Sequence, residues 1–336
     1  MTVEAPPDAA TEAPPRRRRV TSLEVLCVLL LVALVAQGWI TSVLDAPALR
    51  TGATIFVAVC VQALPFLVFG VLVSGAIAAF VSADALRRVL PRRPALAVPV
   101  AGVAGVALPN CECAAVPVAR RLMQREVPAS VALTFLLAAP AVNPIVLVAT
   151  AVAFPGEPMM VLARFAGSMA TALVMGWLWA RFGRGEWFAS RVTRRVPPPA
   201  GGHSRWAMFA ETARQDLVDA GGFLVVGGLA AAVLNVAVPR SWLDTLGDQV
   251  VLGIVVMAVL AVLLALCSEA DAFVAASLSA LPLLPRLVFL VVGPAIDVKL
   301  FVLQAGTLGR RFALRFAPLT FVVAVGCAVG AGVVFL

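Results

Sequence analysis

The chain has 336 residues, 62% of them hydrophobic and only 13% charged, with a formal net charge of +8. Soluble domains carry charge on about a quarter of their residues, so this composition excludes a water-soluble globular protein and fits a polytopic membrane protein. The basic excess is nearly all arginine, in short runs between apolar stretches, which is how membrane topology is written and not how nucleic acid is gripped.

Residues 1–19 are rich in Pro, Ala and Glu and end in Arg16 to Arg19, which reads as a disordered cytoplasmic tail. Residues 20–44 read as an uncleaved first transmembrane helix with a cytoplasmic N-terminus, since no small-residue cleavage site follows the apolar run. Thr51 to Val81 is the next span, interrupted by Pro65. Pro94 to Met123 either crosses the membrane or dips in and returns around Asn110 to Cys113. Returning keeps Arg120, Arg121 and Arg125 on the cytoplasmic side with Arg87, Arg88, Arg92 and Arg93, as the positive-inside bias prefers, so a re-entrant hairpin is expected. Pro128 to Ala153 is a span broken at Pro140-Ala141-Val142-Asn143-Pro144, and Met159 to Phe182 is another, with Arg164 near its start. A polar linker at 183–206, read as cytoplasmic, divides the chain into membrane repeats at 51–182 and 207–336.

The division rests on internal similarity. Phe66-Leu67-Val68 returns as Phe223-Leu224-Val225, Cys111 as Cys267, Pro140-Ala141-Val142-Asn143 as Pro294-Ala295-Ile296-Asp297, and Arg164-Phe165-Ala166 as Arg315-Phe316-Ala317, at offsets of 157, 156, 154 and 151. With returning hairpins each half crosses an odd number of times and the halves are oppositely oriented. The expected fold is therefore an all-α polytopic membrane protein of two inverted repeats, each with a re-entrant or broken-helix hairpin, plus one extra N-terminal transmembrane helix. In transporters so built the solute site lies near the midplane, between discontinuous helices.

Thiols and carboxylates inside apolar sequence mark where such a site would be, because charge in hydrocarbon must face protein, water or a ligand. Two stretches qualify: Leu108-Pro109-Asn110-Cys111-Glu112-Cys113 and Leu266-Cys267-Ser268-Glu269-Ala270-Asp271. Cys111 and Cys113, joined by Cys267, could converge on one soft ion as a metal site, since thiolate selects soft centres. Glu112, Glu269 and Asp271 would supply charge or hard oxygens, carry a coupling proton, or pair with Lys299, Arg164 or Arg315; the two arginines sit near span ends and can snorkel. Lys299 is the only lysine. It stands two residues from Asp297, so on a regular helix the two would not face each other. Either Pro294 unwinds the backbone there, or each pairs across to a hairpin. Asn143, in the place of Asp297, keeps polarity without charge, and Pro140, Pro144 and Pro294 are kinks or shapers of the site. Cys27, Cys60 and Cys327, in continuous apolar sequence, read as packing residues.

Pro109-x-Cys111-x-Cys113, Pro117-Val118-Ala119-Arg120, Ala138 to Pro144, Cys267-Ser268-Glu269-Ala270-Asp271-Ala272-Phe273-Val274-Ala275 and Gly293-Pro294-x-x-Asp297-x-Lys299 together resemble the ArsP/YraQ-type predicted permeases, from about residue 50 to the C-terminus. The resemblance implies a plasma-membrane efflux permease whose cysteines, here Cys111, Cys113 and Cys267, meet a thiophilic solute such as a trivalent organoarsenical. Glu112, between the cysteines, leaves room for a metal cation instead. The expected partners are the lipid bilayer, that solute and a coupling proton, with no cofactor, no nucleic acid, and a homo-oligomer left open. No Gly-x-x-x-x-Gly-Lys loop occurs, so ATP would have to come from a partner. Two rival readings are a membrane thiol oxidoreductase cycling the Cys111/Cys113 pair and a membrane subunit of a larger complex.

Overall fold

A computed structural model describes residues 47–81, 91, 93–107, 112–189, 192, 205–237, 250–278 and 281–336. The expected tail at 1–19, the first helix at 20–44 and most of the linker lie outside these residues, as does Cys111. All regular structure among the described residues is helical. A chain crossing lipid has to satisfy its backbone polar groups internally, which leaves helices as the outcome for apolar sequence without strand alternation.

Among the described residues the α-helices come in two series of six. The first is α1 (Pro47–Phe80), α2 (Pro94–Ala107), α3 (Glu112–Gln124), α4 (Ala129–Ala141), α5 (Pro144–Ala153) and α6 (Pro158–Phe182). The second is α7 (Arg205–Ala237), α8 (Val250–Leu264), α9 (Ser268–Ser277), α10 (Leu283–Ala295), α11 (Val298–Thr307) and α12 (Arg310–Phe335). Among the described residues six segments are long and apolar enough to cross a membrane: α1, α4 with α5, α6, α7, α10 with α11, and α12. At about 1.5 Å per residue, α2, α3, α8 and α9 are too short to cross about 30 Å of hydrocarbon alone.

Packing partners recur with the order. α4 packs on α2, α3 and α6, and α10 packs on α8, α9 and α12. Several contacts join the two series, α6 with α12 foremost; among them α5 packs on α9 and, reciprocally, α11 packs on α3. The broken helices form the centre: the α10–α11 segment is 83% buried and α4–α5 78%, against 22% for α12 and 28% for α1. The outer helices instead turn side chains such as Val61, Val322 and Val333 outward, an apolar exterior suited to lipid. α6 and α12 run antiparallel. Trp179 near the end of α6 meets Phe312 and Phe316 at the start of α12, with ring centroids 5.3 and 5.9 Å away, while Gly167 near the start of α6 abuts Ala328 and Ala331.

The breaks have local causes. Pro140 and Pro294 fall in the last turns of α4 and α10, and Asn143 and Asp297 then cap the helices that follow. Pro144 pushes Asn143 to extended backbone, φ −71° and ψ 155°, and is itself preorganised for the first turn of α5. Pro65 does not interrupt its span as expected, because α1 runs through it. One proline forfeits a single N–H, which a membrane helix tolerates, whereas proline followed by a capping residue offers a new start. The linker is not polar throughout: Phe188 stacks on Phe312 at 4.9 Å, and Ala189 N–H donates to Leu308 O at 2.8 Å.

That last contact requires glycine at position 309, where φ is +124° and a Cβ would sit 2.9 Å from the Ala189 nitrogen. Gly309→Ala is expected to cost about 1–3 kcal/mol, seen as a lower melting temperature of the detergent-purified protein; an unchanged melting curve would contradict the close approach.

Candidate functional site

The breaks bring charged residues from distant sequence together. Glu112 opens α3, where the positive end of the helix dipole favours a carboxylate, and is 1% exposed. Its Oε1 accepts from Lys299 Nζ at 2.8 Å and its Oε2 from Ser268 Oγ at 3.0 Å. Lys299, in the first turn of α11, is fully buried and also donates to Ala265 O at 3.3 Å and Leu266 O at 3.4 Å. An ammonium has three N–H donors, and each finds an oxygen. Those carbonyls are free because α8 ends there, with Ala265 in left-handed backbone at φ +48°. Such strain in a non-glycine residue clusters at functional sites.

Of the two routes offered for Asp297 and Lys299, the break in the backbone holds for both and pairing across to another segment holds for Lys299 alone. Asp297 lies outside the helix as its cap, Oδ1 accepting from Leu300 N at 2.5 Å, and its Oδ2 stands 3.5 Å from Lys299 Nζ. Lys299 also reaches across to α3. Asn143 plays the same capping part for α5, accepting from Val146 N at 3.0 Å and donating to Ala139 O at 3.2 Å. Pro140 and Pro294 are buried beside these caps.

Arg164 departs from expectation. It does not snorkel at a span end but is fully buried, donating through Nη1 to Thr150 Oγ1 at 2.7 Å and through Nη2 to Ser268 O at 2.8 Å. Its burial follows from α9 lying across α5, a contact that no local pattern announces. Arg315, its sequence counterpart, is exposed and stacks over Trp187 at 4.5 Å. One turn along α9, Asp271 is 2% exposed and packs against Gly293, where a Cβ would meet Oδ2 at 2.6 Å. Glu269 is half-buried.

Cys113 and Cys267 are buried, at 1% and 2% exposure, and both lie within electrostatic range of the Lys299 ammonium. Among the described residues no group of three or more His, Cys, Asp or Glu side chains is disposed to hold a metal ion; Cys111, the third thiol of the expected set, lies outside them. Beside the Asp297 break, a cavity of about 450 Å³ is walled by apolar residues of α8, α11 and α12, including Val259, Phe301, Pro318 and Phe321.

Sequence reading missed a second polar cluster at the far end of α3. Arg121 Nη2 donates to Asp216 Oδ1 and Oδ2 at 3.1 and 3.0 Å, and Ser74 Oγ donates to Asp216 Oδ2 at 2.5 Å, joining α1, α3 and α7. Arg121 was taken as a loop residue marking topology, yet it is 7% exposed. Asp216, one of three acids in α7 with Glu211 and Asp219, was the available signal.

Comparison with known proteins places this geometry in a family setting. The family profile ArsP_1, described as predicted permease, matches residues 48–333. The UPF0718 protein YcgR of Bacillus subtilis (strain 168) is 32% identical over 282 residues, covering 81% of this chain and 93% of that protein. A putative two-component membrane permease complex subunit of Streptococcus mutans serotype c is 31% identical over 271 residues, covering 78% of this chain and 88% of that protein. No solved structure matches the chain significantly.

Ser268→Ala removes the donor to Glu112 Oε2 while leaving the Lys299 pair. The expected loss is about 1–3 kcal/mol, measured by thermal or denaturant unfolding in detergent; a neutral substitution would contradict a dry, fully engaged carboxylate.

Proposed function

Because the chain belongs to the ArsP_1 family of predicted permeases, a family of transport proteins and not of enzymes, we propose that it is a proton-coupled secondary transporter of the plasma membrane. It exports a small thiophilic solute, either a trivalent organoarsenical or a soft metal ion, and its N-terminus is cytoplasmic. The observation that carries the reading is the Glu112–Lys299 pair, buried at two helix breaks and drawn from both series of helices. Charge so placed is costly unless it serves a pathway or a ligand, and discontinuous helices are where such transporters hold their solutes.

In this reading the two series are inverted repeats. Support comes from the antiparallel course of the equivalent helices α6 and α12. α2 and α3, and likewise α8 and α9, are returning hairpins. Gly105 near the end of α2 lies on Ala138 near the end of α4, and Gly253 near the start of α8 lies on Pro285 near the start of α10, so α2 and α8 follow α4 and α10. α3 runs into α4 through the short turn at 125–128, and Asp271 at the start of α9 meets Gly293 at the end of α10, so α3 and α9 run back. The solute meets the thiols of Cys111, Cys113 and Cys267 at the hairpin tips, as soft ligands to arsenic or to a metal ion. Glu112, Ser268, Glu269, Asp271, Asp297 and Lys299 compensate charge, and Pro140, Asn143 and Pro294 shape the opening. The printed name of the Streptococcus mutans relative favours a second reading, in which this chain is the membrane subunit of a permease that works with a partner protein.

Everted membrane vesicles supplied with labelled methylarsenite, and with a panel of soft metal ions, test the proposal. Wild type is expected to accumulate one of these solutes, and Cys111→Ser, Cys113→Ser and Cys267→Ser to abolish accumulation while still inserting normally. Accumulation that survives all three substitutions would refute the thiol site.

A further inference from the structure

The buried acids around the helix breaks are not equivalent in what already occupies them. Both oxygens of Glu112 are engaged, by Lys299 and Ser268. Asp297 is tied to the Leu300 N–H through one oxygen and faces Lys299 through the other. Asp216, in the distant cluster, is held by Arg121 and Ser74. Among the described residues two of these acids have a buried oxygen with no hydrogen-bond partner: Asp297 Oδ2, which faces Lys299 at 3.5 Å, and Asp271 Oδ2, which has no cation within ion-pair distance. A carboxylate left this way in a dry interior is strongly disfavoured, whereas a neutral carboxylic acid is not.

Arg164 is the complementary case. It is a fully buried guanidinium whose two terminal nitrogens bond a hydroxyl and a backbone carbonyl, while Nε has no partner. Among the described residues no carboxylate lies within ion-pair distance of it. The charge acting most strongly on Asp271 is that of Arg164, followed by Glu112, Lys299 and Asp297; the acid acting most strongly on Arg164 is Asp271, ahead of Glu269 and Glu112. The two stand at one helix start, because the carbonyl Arg164 holds belongs to Ser268, three residues before Asp271. α10 meets Asp271 with Gly293 and so contributes no titratable group at that contact.

Resting on the transport reading above, we propose that Asp271 is the residue that takes up and releases the coupling proton, and that Arg164 is the counter-charge that reports its state to the helices. The step is proton transfer alone: the carboxyl O–H bond forms on uptake and breaks on release, with water on either side as donor and acceptor. Protonated, Asp271 rests against Gly293 and Arg164 keeps α5, α6 and α9 tied through Thr150 and Ser268. Deprotonated, its carboxylate competes for the guanidinium, whose free Nε is the first group available, and the hold on the Ser268 carbonyl weakens. Proton release thereby loosens α9, the helix that presents Cys267 and Ser268 to Glu112.

The test uses the full-length protein reconstituted in liposomes and two independent readouts. Infrared difference spectra recorded against pH should contain the carbonyl stretch of a protonated carboxylic acid that is absent in Asp271→Asn, retained in Glu269→Gln, and displaced in its titration midpoint by about one pH unit or more in Arg164→Gln. Gly293→Ala, which crowds the same oxygen, should shift or abolish the band and serves if Asp271→Asn does not fold. In transport, with methylarsenite as probe, Asp271→Asn should keep solute exchange across the membrane but lose accumulation driven by a pH gradient. A band that survives Asp271→Asn unchanged, or pH-driven accumulation in that variant at the wild-type level, overturns the proposal. Wild-type liposomes that exchange no solute would count against the transport reading, and the infrared band would still decide the role of Asp271.

Discussion

The structure depends on one buried ion pair. Glu112 and Lys299 lie 187 residues apart in sequence and meet at 2.8 Å with neither group exposed beyond 1%. Two charges removed from water repay their desolvation only when geometry is good and every remaining donor and acceptor is satisfied. The helix breaks provide that satisfaction. The end of α8 leaves the carbonyls of Ala265 and Leu266 for Lys299, the start of α9 offers the Ser268 hydroxyl to Glu112, and the cap of α11 sets Asp297 beside the ammonium. A continuous helix would present none of these oxygens, since its carbonyls are consumed in its own ladder.

The two series of helices are alike in element order and packing but not in chemistry. Asn143 and Asp297 cap equivalent helices in the same way, yet only Asp297 carries charge and faces a lysine. Arg164 is buried at the site while Arg315 is exposed on the surface over Trp187. Glu112 and Ser268 open equivalent half-helices and bond to each other, one as acceptor and the other as donor. Two helix starts thus stand face to face, and a few charged positions give that meeting point a definite charge arrangement. The exchange of α5 onto α9 and α11 onto α3 is what brings the two starts together.

Much of the frame was legible in the sequence because lipid leaves the backbone few options. The spans among the described residues and the breaks after Pro140 and Pro294 follow from apolar runs and capping residues. Glu112 and Lys299 stood out as charge in apolar sequence, though which partner each would take stayed open. Three features were not legible. Arg164 was read as a residue near a span end that can snorkel or pair with an acid, because its burial is imposed by α9, 104 residues later. The Ser74–Arg121–Asp216 cluster joins residues 95 and 142 apart, and its arginine sat in a run that also signals topology. Pro65 looked like a break, and only the lack of a following cap distinguishes it from Pro140 and Pro294.

The central claim is that the Glu112–Lys299 pair joins the two series of helices at the helix breaks and that the breaks accommodate it. Its most direct test is a double-substitution cycle with Glu112→Gln, Lys299→Met and both together, read as unfolding free energy in detergent. Each single variant leaves a buried partner uncompensated and is expected to lose about 3–5 kcal/mol, while the double variant recovers most of that loss. Additive effects, with the double variant as unstable as the two losses combined, would contradict the account.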